Sequence, residues 1–273
     1  MKKIIAMILA VMMIATCLAA CNGNAGAKAT KIAVQKGTTS LMYAQVLKGA
    51  QAVSYDTFAL AANDMKNGNA DYVFVDKTTA KALCKEIEGI KMIDIALSSE
   101  NYGIGIDPNQ ADLKTQIDAV LTNKAAEIDA IKDKYMNGEE DKYVGVTSAT
   151  KDVNRASAQL VVATNAEFAP WEYKEGNKYY GIDMEIAQLI ANELNMELVI
   201  DDMDFDMVVG AVGKQGVDIA MSGITITAER MNVINFSIPY YTEAIVAVCK
   251  ADDTSLDSVG TVVDMLNVIC AVN

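Results

Sequence analysis

Apolar runs and polar breaks alternate along most of the chain, and the breaks are rich in Gly, Asn and Asp. Residues 32–34 read as a strand and 40–48 as a helix. A second helix over 59–65 ends in KNGNAD, which turns into the apolar strand YVFV (72–75). TTAKALCKEI (78–87) is helical; IDIAL (93–97) and YGIGI (102–106) are strand-like. Leu113, Ile117, Val120 and Leu121 share one face of a further helix, and Ile128, Ile131 and Tyr135 line the next. Residues 137–158 are polar with little periodicity and read as a linker. The pattern then starts afresh: strand QLVVAT (159–164), a helix marked by Ile182, Ile186, Leu189, Ile190 and Leu194, strand ELVI (197–200), a short helix from Phe205, and strands VDIAM (217–221) and IVAVC (245–249). Such alternation predicts α/β layers with mostly parallel strands. MKNGNADYVFVD (65–76) and GKQGVDIAMSG (213–223) echo each other, as two similar lobes or two unrelated helix-to-strand turns would.

The amino terminus departs from this pattern. Lys2 and Lys3 precede an apolar run over 4–18, and LAAC closes at Cys21. This reads as a signal peptide over 1–20. The ending resembles a bacterial lipobox, which implies lipid on Cys21 and a flexible tether over 21–30; an ordinary signal or a single anchor helix is the alternative. The run is short for a membrane span. A net charge of −13 argues against nucleic acid and polybasic membrane contacts. The chain has no histidine, which removes Ser-His-Asp and Cys-His catalysis and histidine metal sites. Cys84, Cys249 and Cys270 show no disulfide spacing.

LVVATNAEFAPWEY (160–173), YGIDMEIAQLIANEL (180–194) and SGITITAERMNVINFSIPYY (222–241) resemble consecutive phrases of the extracellular amino-acid-binding receptors of ABC importers, the polar amino acid solute-binding proteins. KIAVQKGTTS (31–40) and GNADYVFVD (68–76) resemble that family's second lobe. The resemblance implies a periplasmic-binding-protein-like α/β fold, two lobes joined by two hinge strands with the ligand between them; YGIGI and IVAVC are the hinge candidates. The order is inverted, as in a circular permutation: lobe 2 over 31–101, a hinge strand and closing helices over 102–136, the linker 137–158 as the new joint, lobe 1 over 159–248, and a hinge exit with a degenerate tail over 249–273. KIAVQ (31–35) and VICAV (268–272) both look like the first strand of lobe 2. Connection to the GTT turn favours KIAVQ for that slot, which leaves residues 254–273 peripheral or frayed.

A free amino acid needs donors for its carboxylate, an acceptor for its ammonium and a shaped pocket. Arg230 suits the carboxylate by its two parallel donors, with Thr227 as a helix N-cap beside it; a surface helix arginine is the alternative. The resemblance implies that Thr225 meets the carboxylate, that the Gly223 carbonyl accepts from the ammonium, and that Phe168 and Phe205 sandwich the side chain near Trp171. For Gly223 and Thr225 the alternative is ordinary turn chemistry, and for the aromatics core packing. Thr38 and Thr39 open a helix whose free N–H groups make an anion site, a role compatible with capping. Asp76 ends a strand at the ligand-bearing edge of a parallel sheet and suits an ammonium, or caps the next helix. Asn165 stands where receptors for cationic amino acids tend to carry Asp, which favours a neutral polar ligand. DDMDFD (201–206) lacks the glycine and terminal glutamate of a calcium loop.

The resemblance implies an exported monomeric binding lipoprotein, on the outer face of the cell membrane or the periplasmic side, that hands a free amino acid to an ABC permease. No cofactor, metal, nucleic acid or catalytic group is expected. The competing classes are a cyclohexadienyl-dehydratase-like enzyme with Glu167 or Glu172 as acid or base, and a sensor or inactive rearranged copy.

Overall fold

A computed structural model describes residues 29–154 and 156–270. The expected signal peptide, Cys21 and most of the tether lie outside the described residues. In chain order the elements are β1 (Thr30–Gln35), α1 (Thr39–Val46), β2 (Ala50–Tyr55), α2 (Phe58–Lys66), β3 (Tyr72–Asp76), α3 (Lys77–Glu86), β4 (Ile90–Ile93), β5 (Glu100–Tyr102), β6 (Gly105–Ile106), α4 (Ala111–Asn123) and α5 (Ala125–Met136). There follow β7 (Gln159–Thr164), β8 (Glu167–Phe168), β9 (Glu172–Glu175), β10 (Lys178–Tyr180), α6 (Ile182–Glu193), β11 (Glu197–Asp202), α7 (Phe205–Ala211), β12 (Ile219–Ala220), β13 (Asn235–Phe236), β14 (Tyr241–Glu243), β15 (Ile245–Lys250) and α8 (Val262–Cys270).

Two compact α/β units result. The first takes the described residues through Val75, Leu83–Leu97 and the chain from Ile245 on; the second takes Asp76–Ala82 and Ser98–Ala244. The first unit's sheet runs β2-β1-β3-β15-β4, with β1 parallel to β2 and β3 and β15 antiparallel to β4. The second unit's sheet runs β11-β7-β12-β6-β13, with β7 parallel to β11 and β12 and β6 antiparallel to its two neighbours. The two orders are the same, and in each the fourth strand comes from a distant part of the chain. The echo between 65–76 and 213–223 thus falls on β3 and β12, which hold the same place in the two sheets.

Three expectations are corrected. IVAVC, a hinge candidate, lies in the first unit's sheet as β15, which is buried along all but its last residue, as a continuous apolar run should be in a sheet interior. YGIGI splits into the end of β5 and the sheet strand β6, and the paired ladder is β5 against β14, with Glu100, Asn101 and Tyr102 opposite Glu243, Thr242 and Tyr241. The tail does not fray among its described residues. Residues 262–270 form α8, whose Met265, Ile269 and Cys270 are buried with Leu256 in the first unit's core beside Ile32, Val34 and Phe74. The start of VICAV is therefore helical, while KIAVQ fills the strand slot as β1. Finally, 137–158 is no slack linker. Val146 bridges to Tyr179, the Ala149 N–H donates to the Leu198 carbonyl at 2.8 Å, and Lys151 pairs with Asp201 at 2.7 Å. β2 and the β8–β10 hairpins escape the apolar pattern because they are short or half-exposed.

Candidate ligand-binding site

The second unit gathers most of the expected residues. After β12 the chain runs on beside β5: the Gly103 N–H donates to the Ile224 carbonyl at 3.0 Å and the Ile226 N–H to Asn101 at 2.8 Å. Just before them Gly223 takes φ +53°, and a Cβ there would stand 2.7 Å from Phe168 and 3.1 Å from Tyr102. Only glycine meets both demands. Its N–H donates to Asp183 Oδ2 at 2.8 Å. The Thr225 hydroxyl donates to Glu100 Oε2 at 2.6 Å. Half-buried Arg230 donates from Nη1 to the Thr225 carbonyl at 2.9 Å, and its guanidinium lies 5.8 Å from the Phe205 ring centroid, within cation–π range.

Two buried acids, Asp76 and Glu100, act on that arginine's charge, and a third, Glu243, acts on Asp76. Glu100 and Glu243 face each other directly across the β5–β14 ladder, an arrangement that repels when both are charged. The Tyr102 hydroxyl donates to Asp76 Oδ1 at 2.7 Å. Glu243 accepts from the Thr78 hydroxyl, and at 2.8 Å from the Ala244 N–H. Burial, then the charges of Glu100 and Glu243, push the Asp76 carboxyl well above the usual carboxylate range; burial raises Glu243 as well. Burial draws the Arg230 guanidinium down, while Glu100 and Asp76 act to hold its charge.

The aromatics divide by role. Phe168 is buried against Gly223, and Phe205 is half-buried under Arg230. Trp171 is wholly buried, edge-on to Tyr102 at 4.9 Å and Tyr241 at 4.7 Å, and its Nε1–H donates to Thr78 Oγ1 at 2.9 Å. It braces the acids rather than lining an open pocket. Asn165 is a fastener too: its Nδ2 donates to the Met203 carbonyl at 3.0 Å and its N–H to Ser222 Oγ at 3.3 Å.

Thr38 and Thr39 belong to the first unit. Thr38 caps α1, accepting from the Leu41 N–H at 3.2 Å while donating to the Gln35 carbonyl at 2.7 Å, and Gly37 makes the turn at φ +73°. Asp76 does not cap α3; its described side-chain bond is to Tyr102. The helix start expected at Thr227 is only a short 3₁₀ turn, Arg230–Asn232, although Thr227 Oγ1 does accept from the Arg230 N–H at 3.2 Å. Asp201 and Asp202 of the acidic run are spent on Lys151 and on the Ala166 N–H, and no metal-holding group occurs among the described residues. Sequence reading missed Glu100, Tyr102, Asp183 and Glu243. Acids embedded in apolar strand ends were the available signal.

Residues 160–268 match the model of the bacterial extracellular solute-binding proteins, family 3. Curated relatives include the arginine-binding extracellular protein ArtP of Bacillus subtilis, 38% identical over 34% of this chain and 37% of its own. Cyclohexadienyl dehydratase of Pseudomonas aeruginosa is also 38% identical, over 31% of this chain and 32% of its own. The matches thus span about a third of those relatives' length. Among solved structures, the GluR0 ligand-binding core in complex with L-glutamate aligns over 90% of this chain and 94% of its own, at 12% identity and TM-score 0.49.

Proposed function

We propose that the protein is an exported, monomeric binding protein that captures a free amino acid and delivers it to an ABC permease in the membrane. The observation that carries this reading is the placing of one half-buried cation, Arg230, beside the acceptors Asp76 and Glu100 on a floor of Gly223 and Phe168. A zwitterion needs that pairing: Arg230 and Thr225 take the carboxylate, Asp76 and the Gly223 carbonyl take the ammonium, and Phe168 and Phe205 flank the side chain. Thr38 and Thr39 are proposed as further carboxylate donors. Asn165 argues for a neutral polar side chain, whereas ArtP is named for arginine. Lobe order is read as circularly permuted, and Cys21 as the lipid anchor.

The test is a thermal-shift screen with the twenty amino acids. A saturable rise with one or a few of them is expected; no response to any of them overturns the reading. The dehydratase relative favours one second reading, an enzyme on this scaffold. Glu172, an acid once open to that role, is wholly buried, and Glu167 is exposed at the end of a two-residue strand. Turnover in a dehydratase assay would decide for the enzyme.

A further inference from the structure

Beneath the Gly223 loop lies a pair of carboxyls that ligand capture does not use. Glu172 on β9 and Asp183 on α6 are both wholly buried, and they meet at one turn, Glu172 accepting from the Ser222 hydroxyl and Asp183 from the Gly223 N–H. Burying two like charges at one turn is costly, so the pair favours keeping a proton. The surrounding donors say where it sits. Asp183 accepts from the Gly223 N–H at 2.8 Å and from the Tyr240 hydroxyl at 2.7 Å, one on each oxygen. Glu172 Oε1 accepts from the Ser222 hydroxyl, while no N–H or hydroxyl reaches Oε2. Asp183 is dressed as an anion and Glu172 as an acid.

We propose that Glu172 is a neutral carboxylic acid in the working protein, a positioning residue whose O–H fastens Asp183 and, through it, the Ser222–Gly223 turn. Together Glu172 and Asp183 hold two successive residues of that turn, one by its side chain and one by its backbone N–H. The ionisable groups facing the pair are Asp202 at the end of β11 and Tyr240 ahead of β14. Asp202 repels a charge on Glu172 and so keeps its proton on. Burial pushes both carboxyls up, Glu172 further than Asp183, which rises to about 6. Losing the Glu172 proton would set two like charges together in a wholly buried place, and the turn would be the first thing released.

The binding consequence rests on the proposed function; the stability consequence does not. The full chain is compared with Glu172→Gln and Glu172→Leu. Gln keeps a donor for Asp183 and an acceptor for Ser222 but cannot ionise; Leu has neither. Thermal unfolding without ligand is followed from the ordinary glutamate value, about pH 4, upward to alkaline pH, and binding is titrated with L-arginine and L-glutamine. The wild type is expected to lose stability relative to Glu172→Gln as pH rises, because a carboxyl with a raised folded-state pKa stabilises below its unfolded value and forfeits that on ionising. Leu should weaken whichever probe binds by about tenfold or more, and Gln should recover most of it. Asp183→Asn, which can donate to an ionised Glu172, should likewise flatten the pH dependence if the Glu172 variants do not fold. Parallel pH curves for wild type and Gln, or Gln no better than Leu, overturn the proposal. Failure of both probes alongside a normal pH difference counts against amino-acid binding and leaves the proton in place.

Discussion

At the scale of single residues, the candidate site sets the Arg230 cation near buried acids, of which Asp76 and Glu243 are pushed toward the neutral form by burial. Arg230→Ala should cost about 2–5 kcal/mol of ligand binding, the range for removing one partner of a buried charged contact. Circular dichroism should stay unchanged, and calorimetric titration measures the loss; an undiminished affinity would show that another group takes the carboxylate. Gly223→Ala meets both a positive φ and the Phe168 and Tyr102 rings, so it should lower both unfolding temperature and affinity. The pH effect on binding has a definite sign. Asp76 accepts an ammonium best when ionised, and its carboxyl is raised. Affinity should therefore strengthen as pH rises through that raised value, and Glu243→Gln, which removes one repelling charge, should move the rise to lower pH. An affinity flat across that range would mean that Asp76 does not meet the ammonium. That Gly223, Thr225 and Arg230 lie together was legible in the sequence, because they stand in one short phrase; their role in a site is a proposal. Glu100 and Glu243 were not legible, since their meaning comes from a ladder between residues more than a hundred positions apart.

Elements were legible where an apolar run was long. β3, β7, β15 and α6 stand near their expected places because continuous burial writes itself into composition. α8 misled for a physical reason: it is rich in Val and Ile, which favour strands when local preference decides. Here tertiary burial decides instead, with Met265 and Ile269 wholly covered. A chain ending at Asp253 would uncover the first unit's core, where each lost large side chain costs about 2–5 kcal/mol. The truncated chain should show a markedly lower denaturation midpoint by urea titration. An unchanged midpoint would return the tail to the periphery.

At the scale of the whole molecule, the matching strand orders of the two sheets give the permutation a direct test. A reordered gene that keeps every described element, with residues 159–270 placed before 29–158, should fold cooperatively and keep the parent's ligand preference, since the joined ends then follow the family's order. Loss of cooperative unfolding in the reordered chain would reject the permutation. The proposed inversion of order rests on motifs alone. That each unit completes its sheet with a strand from elsewhere could not be read from them, because no local pattern records which sheet a buried strand will enter.

That borrowed strand has a consequence in time. The chain is made from its amino terminus, so β1 to β4 emerge well before β15, which sits between β3 and β4. Until then β4 has no sheet to join and β3 presents an open flank of unsatisfied N–H and C=O groups, a template for another chain. Synthesis at about 5–20 residues per second makes that wait a matter of roughly ten seconds or more. The nascent protein thus spends a stretch of its life as a ready partner for its own neighbours, and holding it apart during that interval falls to whatever escorts it.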